Sequence, residues 1–305
     1  MIVVITFKRI LFCALLMALL LVGLFAQQHR LFERAWYAAL ELYELRWGDK
    51  PSMRLNDYRV VIEAKQVEGL EELSALTYDP DRNSLFSVVR GPTRIIELSL
   101  EGELLREVAL RGVSDPEAIE YVQRDTYVVA DEQDQRLIKV VLSEGVDSVD
   151  VAGFQQLSLG IGLNGNKGFE GLAWDSERQR LLVAKERDPV RIFEIVGFPH
   201  VDAHKPLDLQ VNIDTKRDAR LFVRDLSSLD YDTSTGHLLA LSHESYMVLE
   251  VDSKGKPVSR LSLLKGMQGL SKRVPQAEGV ASDNAGNLYL ISEPNLFYVF
   301  RKPAD

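Results

Sequence analysis

The stretch KGFEGLAWDSERQRLLVAKERDPVRIFEI, residues 167–195, places one glutamate at the start of a short apolar run and another at the end of the next run. Glu170 opens EGLAW, Glu186 closes LLVAKE, and the polar turn DSERQR lies between them. Short alternating runs bounded by Asp, Asn and Gly turns predict β-strands. A unit of this kind that recurs every 40 to 50 residues, roughly, indicates a propeller or a solenoid, so the number of copies decides the fold.

Five copies of the unit occupy residues 58–302. Each first strand alternates a large apolar residue with a small residue: Leu76, Ile119, Leu172, Leu229 and Val280 are large, and Ala75, Ala118, Gly171, Ser228 and Gly279 are small. Such alternation suits sheets that pack face to face around an axis. We therefore predict an all-β fold, a five-bladed β-propeller with four-stranded blades. Residues 199–224 contain too few strands for a sixth blade.

The outer strands of the predicted blades are less regular. Fourth strands are predicted at residues 104–110, 147–154, 207–213 and 257–263, whereas the fifth unit reaches Asp305 without one. The unused strand at residues 58–64 is predicted to complete that last sheet. Because this pairing joins the two ends of the domain, it closes the ring and removes exposed sheet edges.

The N-terminus has a separate character. Residues 10–26 contain no charge and no proline, and with the apolar residues before Lys8 they approach the roughly 20 residues that cross a bilayer. Lys8 and Arg9 precede this run, so the positive-inside rule predicts a cytoplasmic N-terminus. We predict an uncleaved single-pass anchor at residues 1–28, with the propeller on the outer side of the membrane. The alternative is a cleaved signal peptide, although Leu24 stands where a small residue is preferred.

Residues 29–53 read as an amphipathic juxtamembrane helix followed by a linker, and the propeller is assigned to residues 54–305. Aromatic and apolar residues recur there at helical spacing: Phe32, Trp36, Leu40, Tyr43 and Trp47. The helix is predicted either to rest on the membrane surface or to pack on the propeller.

Cys13 is the only cysteine, so the folded part contains no internal disulfide and no thiolate metal site.

A regular spacing of polar residues accompanies the repeat. The residue that opens each first strand lies 15 to 17 residues before the residue that closes the second strand. These two positions are neighbours in an antiparallel hairpin, and the first strands of a propeller line its central channel. One mouth of the channel is therefore predicted to gather Glu117, Glu170, Glu278, Glu132, Glu186, Glu244 and Glu293, together with Ser74, Ser227 and Arg90.

Seven glutamates around one opening repel one another, and partial burial adds a desolvation penalty. A hard cation relieves both effects, and carboxylates without a His or Cys cluster favour Ca²⁺. The seven glutamates are thus candidate calcium ligands, with Ser74 and Ser227 as possible additional ligands. In the alternative interpretation the glutamates are solvated or pair with Arg90, Lys185 or basic residues in the segment 271–275.

Other motifs carry less information. DPDRNS at residues 79–84 begins like a calcium-binding EF-hand loop but lacks the required Gly and bidentate Glu, so we interpret it as a turn. Strand alternation places His243 on the opposite face from Glu244, which predicts a packed or exposed histidine rather than a general base. A net charge of -9 argues against a nucleic-acid partner.

Several segments resemble the bacterial SdiA-regulated proteins over residues 54–302: LSALTYDPDRNSLFSVV, DPEAIEY, GFEGLAW, LSHES and QAEGVASDNAGNLYLISEPNLFYVF. The resemblance implies a five-bladed propeller that is distantly similar to NHL-repeat proteins. It also implies a Ca²⁺ site in the channel region and no established activity. The ligand positions given above follow from the spacing of the glutamates and not from a family motif.

The leading functional hypothesis is a membrane-anchored, calcium-binding propeller that binds an unknown protein or small-molecule ligand at its mouth. One alternative is a metal-dependent hydrolase of the lactonase, esterase or phosphoesterase kind, in which a channel cation activates water. Glu132, Glu186 or Glu244 are then the candidate bases. In a third interpretation the cation is purely structural and holds the sheets together.

Overall fold

The computed structural model describes residues 2–28, 31–44, 51–160, 168–202, 204 and 206–303. The chain forms two compact units, residues 1–49 and 50–305. The first unit contains α1 (Ile2–Gln28) and α2 (Leu31–Glu44). Residues 7–28 of α1 have a mean hydropathy of 2.6, so this helix is long and apolar enough to cross a membrane, as a signal sequence also is.

The second helix carries part of the predicted aromatic stripe. Phe32 and Trp36 lie four residues apart in α2 and therefore share one face of the helix. Trp47 and the side chains of Leu40 and Tyr43 lie outside the described residues. The choice between a membrane-surface helix and a helix packed on the propeller stays a prediction.

The second unit is the predicted five-bladed β-propeller. Its strands in chain order are β1 (Arg59–Gln66), β2 (Leu73–Asp79), β3 (Ser84–Val89), β4 (Arg94–Leu98), β5 (Leu104–Arg111), β6 (Pro116–Gln123), β7 (Thr126–Asp131), β8 (Arg136–Val141), β9 (Ser148–Asp150), β10 (Gln156–Ser158), β11 (Phe169–Asp175), β12 (Arg180–Lys185), β13 (Arg191–Val196), β14 (Gln210–Ile213), β15 (Ser228–Asp232), β16 (His237–Ser242), β17 (Met247–Val251), β18 (Pro257–Ser262), β19 (Gln276–Ser282), β20 (Leu288–Glu293) and β21 (Leu296–Arg301). A short helix, α3 (Thr215–Asp218), precedes β15. Blade 1 contains β2 to β5 with β9, blade 2 contains β6 to β8 with β10, blade 3 contains β11 to β14, blade 4 contains β15 to β18, and blade 5 contains β19 to β21 with β1.

The first strands of the five blades form an inner ring. Each of β2, β6, β11, β15 and β19 contacts the next one around the ring, and β19 contacts β2. The contact is close because the predicted small positions face the neighbouring blade. A Cβ atom on Gly279 of blade 5 would lie 2.6 Å from backbone atoms of Ala75 and Leu76 in blade 1. Apolar side chains fill the space farther from the axis; the rings of Phe86 in blade 1 and Tyr127 in blade 2 are 4.8 Å apart.

The ring is closed by the two ends of the propeller, as predicted. The N-terminal strand β1 pairs antiparallel with β21 at the C-terminus, from Arg59 opposite Arg301 to Gln66 opposite Leu296. The residues just before β1 are also fixed. The buried Glu250 in blade 4 accepts hydrogen bonds from the Met53 backbone N–H at 3.0 Å and from other nearby donors.

One outer strand was predicted incorrectly. Residues 147–154 do not form the fourth strand of blade 2. Instead, β9 pairs in parallel with β5 as a fifth strand of blade 1, and β10 supplies the outer strand of blade 2 by pairing with β8. The physical reason is a turn between them: the Asp150 carboxylate accepts a hydrogen bond from the Ala152 N–H at 2.9 Å and caps a short 3-10 helix at residues 151–153.

The close contact at Gly279 gives a stability prediction. We expect Gly279→Ala to destabilise the propeller by about 2 kcal/mol, because overpacked side chains force backbone shifts of about that cost. For a domain of this size the melting temperature should fall by about 4 to 8 °C. The control is Gly153→Ala, since a Cβ atom there meets no heavy atom within 4 Å. Equal melting temperatures for the two full-length variants would contradict the packing at Gly279.

Candidate functional site

The first hairpin of each blade brings the start of its first strand beside the end of its second strand. Phe169 is opposite Lys185 in blade 3, and Gln276 is opposite Glu293 in blade 5. All the predicted polar positions therefore lie at the channel end where the first strands begin. We call this end the glutamate mouth, and it contains Ser74, Glu117, Glu132, Glu170, Glu186, Ser227, Glu244, Glu278 and Glu293.

Three carboxylates of blade 2 form the tightest cluster at the glutamate mouth. One oxygen atom from each of Asp115, Glu117 and Glu132 lies within 4.8 Å of the other two. Asp115 was not among the predicted residues. It stands two residues before Glu117, just outside β6, so the strand repeat did not include it. The signal available in the sequence was the two-residue spacing, which places alternate side chains on one face of an extended chain.

Two arginines partly neutralise the glutamate mouth. The Arg90 Nε is 2.5 Å from Asp115 Oδ1, and the same guanidinium contacts Glu117. Arg187 lies between blades 3 and 4, with Nε 3.0 Å from Glu186 Oε1 and Nη1 2.6 Å from Glu244 Oε1. Pairing with arginines therefore accounts for some of the glutamates, as one of the sequence interpretations expected for Arg90.

Glu170 is the electrostatic centre of the group. Its burial holds its pKa well above the ordinary value of 4.5, and the charges of Glu186, Glu278, Glu117 and Glu132 raise it further. Burial also raises the pKa of Glu117 to about 7 despite the opposing charge of Arg90. The charges of carboxylates from several blades thus raise one another's pKa values at this mouth.

Blade 5 extends the same network. Burial raises the pKa of Glu278 to about 7, and the charge of Glu293 adds to that effect. Burial likewise raises the pKa of Glu293, with the charge of Glu72 as the next cause. Burial and neighbouring charges therefore disfavour the ionised form of Glu117 and Glu278 near neutral pH, and a bound cation would reverse that effect.

The structure places His243 at the glutamate mouth, where strand alternation did not predict it. The strand β16 ends at Ser242, so the alternation of faces does not continue to His243. The His243 Nδ1 lies 2.8 Å from Oδ2 of the buried Asp225, and the ring belongs to the glutamate mouth. Burial lowers the pKa of His243, but the hydrogen bond and charge of Asp225, together with Glu278 and Glu244, outweigh burial and raise it above 6.5.

The other predicted polar residues have local roles. The Ser74 hydroxyl donates to Glu117 and lowers its pKa. The Ser227 Oγ accepts the His243 backbone N–H at 3.2 Å. Lys185, which was considered as a counter-charge, donates from Nζ to backbone carbonyls of Arg187 and Asp188.

The donor set at the glutamate mouth fits a hard divalent cation. Asp115, Glu117 and Glu132 offer carboxylate oxygens, the ligand type that Ca²⁺ prefers. Arg90 provides one positive charge against these three carboxyl groups, which leaves negative charge for an ion. Next to them, Glu186 Oε2 is buried without a hydrogen-bond partner among the described residues. A buried oxygen of this kind is costly unless an ion or water satisfies it.

Residues 50–301 match the family model described as SdiA-regulated, which covers the whole propeller. The chain belongs to the SdiA-regulated family. Membership confirms the resemblance found in the repeated segments. It agrees with the fold but assigns no reaction to the glutamate mouth.

Solved structures similar to this SdiA-regulated protein share little sequence with it. A nidogen/laminin complex matches with 14% identity, 77% of this chain, 85% of the other and a TM-score of 0.46. A luciferin-regenerating enzyme matches with 11% identity, 80% of this chain, 94% of the other and a TM-score of 0.47. The PQQ-bound aldose sugar dehydrogenase of Streptomyces coelicolor matches with 12% identity, 80% of this chain, 98% of the other and a TM-score of 0.46.

The raised pKa values predict how stability depends on pH. A carboxyl group whose pKa is higher in the folded than in the unfolded chain binds more protons when folded, so the free energy of unfolding falls as pH rises between the two values. For Glu117 and Glu278 this window runs from 4.5 to about 7. Without divalent cations, the melting temperature of the full-length protein should therefore decline across that window.

Glu170→Gln tests the origin of this decline. The neutral amide removes the like charge at the centre of the network, so the variant should melt at a higher temperature than the wild type above pH 7 and lose less stability as pH rises. Glu177→Gln is the matched control because Glu177 is exposed in the turn that follows β11. A wild-type melting temperature that does not change with pH would contradict the electrostatic account.

Proposed function

We propose that this SdiA-regulated protein is a membrane-anchored, extracytoplasmic propeller that binds Ca²⁺ at the glutamate mouth and holds a ligand or a partner protein there. The observation that carries the proposal is the cluster of three blade 2 carboxylates, Asp115, Glu117 and Glu132, with carboxylates of other blades nearby. Their mutual repulsion and burial disfavour the ionised form, and a bound cation relieves both costs.

The ion would be held by Asp115, Glu117 and Glu132, with Glu170 and Glu186 close enough to adjust its charge balance. A calcium ion at such a mouth supplies a positive centre that attracts carboxylate, carbonyl or phosphate oxygens of a ligand. The chain itself would then orient that ligand through the surrounding side chains. Besides Arg90, which contacts Asp115 and Glu117, the basic groups at this mouth are Arg187 and His243.

The proposed location rests on α1. The apolar residues 7–28 of this helix support an anchor, and Lys8 and Arg9 near its start favour a cytoplasmic N-terminus. The propeller would then lie in the periplasm of a bacterium. An uncleaved anchor retains the helix in the mature protein, whereas a cleaved signal sequence would release the propeller.

A metal-dependent hydrolase is the second candidate function, and one observation favours it. Asp225 is fully buried and accepts a hydrogen bond from His243 Nδ1, which holds the imidazole in a fixed orientation at the glutamate mouth. A histidine positioned in this way by a buried carboxylate can act as a general base. His243 is therefore a better candidate base than Glu132, Glu186 or Glu244, which are paired or cluster with other charges.

Calcium binding can be measured on the full-length protein in detergent. We expect a saturable rise in melting temperature with Ca²⁺ and stoichiometric bound metal. At about 100 times the dissociation constant the stabilisation is ~2.7 kcal/mol, or about 5 to 11 °C for a domain of this size. Glu117→Gln and Glu132→Gln should weaken calcium binding by about tenfold or more, because each removes a charged ligand.

Glu244→Gln is the matched control for these variants. Glu244 lies at the same mouth, but it forms an ion pair with Arg187 and is not one of the three clustered carboxylates. It should retain most of the calcium affinity. If Glu117→Gln and Glu132→Gln keep full metal content, the proposed site is wrong. If Ca²⁺ raises the melting temperature but does not change the binding of any ligand, the purely structural role is favoured.

The two functions differ in what His243 does. In a screen of lactones and phosphoesters, a hydrolase should lose turnover by at least about a hundredfold in His243→Gln, the usual contribution of a general base. The calcium-dependent rise in melting temperature should survive that substitution. Ser242→Ala is a control for local packing, since Ser242 also bonds to Asp225. Turnover that is unaffected by His243→Gln would exclude this histidine as the base.

A further inference from the structure

A cavity of about 460 Å³ lies at the other end of the channel, where the first strands finish. Its volume is in the range of small-molecule binding sites. Residues of all five blades line it, from the end of each first strand and the turn that follows. Its residues are separate from the glutamate mouth because the two sets occupy opposite ends of the same strands. We call this cavity the aromatic mouth.

Aromatic rings recur along its wall. Four successive blades each contribute one ring from equivalent positions: Tyr78, Tyr121, Trp174 and Tyr231. Hydrogen bonds at their outer ends hold several of these rings. The Tyr78 hydroxyl donates to Asn83 at 2.8 Å, the Tyr121 hydroxyl donates to Asp81 at 2.6 Å, and the Tyr231 hydroxyl accepts from Arg178 at 3.1 Å. The wall is thus preorganised, which lowers the entropic cost of binding.

Two carboxyl groups lie in the inner part of the cavity. Glu120 is buried and accepts hydrogen bonds from Thr77 Oγ1 and from the backbone N–H of Trp174, each at 2.9 Å. Asp230 accepts a hydrogen bond from Ser282 Oγ at 2.5 Å. Burial raises the pKa of Asp230 to about 7. Burial also raises the pKa of Glu120, and the charge of Asp230 raises it further.

Acidic side chains outnumber basic ones in the lining. Among the residues that the structure describes, Glu120, Asp230, Asp232 and Asp283 line the cavity together with one basic residue, Lys302. The ammonium group of Lys302 lies over the Tyr58 ring, with Nζ 5.5 Å from the ring centroid. A cation therefore already rests on one aromatic ring of this cavity, in the geometry of a cation–π contact.

We propose that the aromatic mouth binds a small organic cation, with an alkylammonium group beside Glu120 and Asp230 and its hydrocarbon part against the aromatic wall. A metal ion would gain nothing from the rings, since hard cations take oxygen ligands. An anionic ligand would be repelled by the carboxylates. A cage of aromatic rings around an ammonium group, closed by carboxylates, gains both cation–π and ionic attraction.

This proposal does not depend on calcium binding, because none of its residues belongs to the glutamate mouth. Failure of one site therefore leaves the other open to test. Wild-type affinity for the organic cation in Glu117→Gln would show this independence directly.

The test compares ligands that differ in charge but not in shape. Full-length protein in detergent is titrated with choline and with its neutral isostere 3,3-dimethylbutan-1-ol, and then with tetramethylammonium and n-butylammonium. Binding is followed by tryptophan fluorescence, since Trp174 lines the cavity, and by the melting temperature. We expect at least one of the three ammonium probes to bind saturably, and choline to bind at least about tenfold more tightly than the neutral alcohol.

Variants then assign the site. Asp230→Asn and Glu120→Gln keep the shape of the side chains and should each weaken ammonium binding by about tenfold. Asp208→Asn is the control, because Asp208 is an exposed aspartate outside the cavity. The melting temperature of each variant without ligand shows whether it folds, and the comparison of charged and neutral ligands on the wild type needs no variant.

Three results would overturn the proposal. The first is the absence of a saturable response to all three ammonium ions. The second is equal affinity for choline and the neutral alcohol, which would indicate a site for neutral apolar ligands. The third is unchanged ammonium affinity in folded Asp230→Asn and Glu120→Gln.

Discussion

The pairing of β1 with β21 is the interaction on which the rest of the propeller depends. It joins the strand nearest the N-terminal end of the domain to the last strand, so the five sheets form a closed ring rather than an open array. Closure forces the inner strands to approach one another closely, as the contact of Gly279 with Ala75 and Leu76 shows. Both mouths follow from this geometry, because the starts of the inner strands converge at one end of the channel and their ends converge at the other.

Convergence has an electrostatic cost at the glutamate mouth. Side chains that would be ordinary surface residues on an isolated hairpin are brought within range of equivalent residues on the next blade. Arg90 and Arg187 each bridge two carboxylates and offset part of the repulsion. The cation proposed at this mouth would offset the part of the repulsion that the arginines leave.

Much of the fold could be predicted from the sequence because the repeat is regular. The alternation of large and small residues identified the inner strands, and the unused strand at residues 58–64 identified the closure. The outer strands were harder, since β9 and β10 have three residues each and their partners are decided by a turn at Asp150. Three residues are too few for alternation to distinguish one pairing from another.

The site was predictable only where it followed the repeat. The seven glutamates have regular spacing, whereas Asp115 precedes its strand and His243 follows the end of its strand, so strand periodicity says nothing about either residue. Glu120 and Asp230 occupy inner strands of different blades, and only the assembled ring brings the two carboxyl groups into one cavity. Strand periodicity thus predicts which residues a blade directs to the axis. The chemistry of a mouth depends on pairs from different blades, and those pairs exist only after the ring has closed.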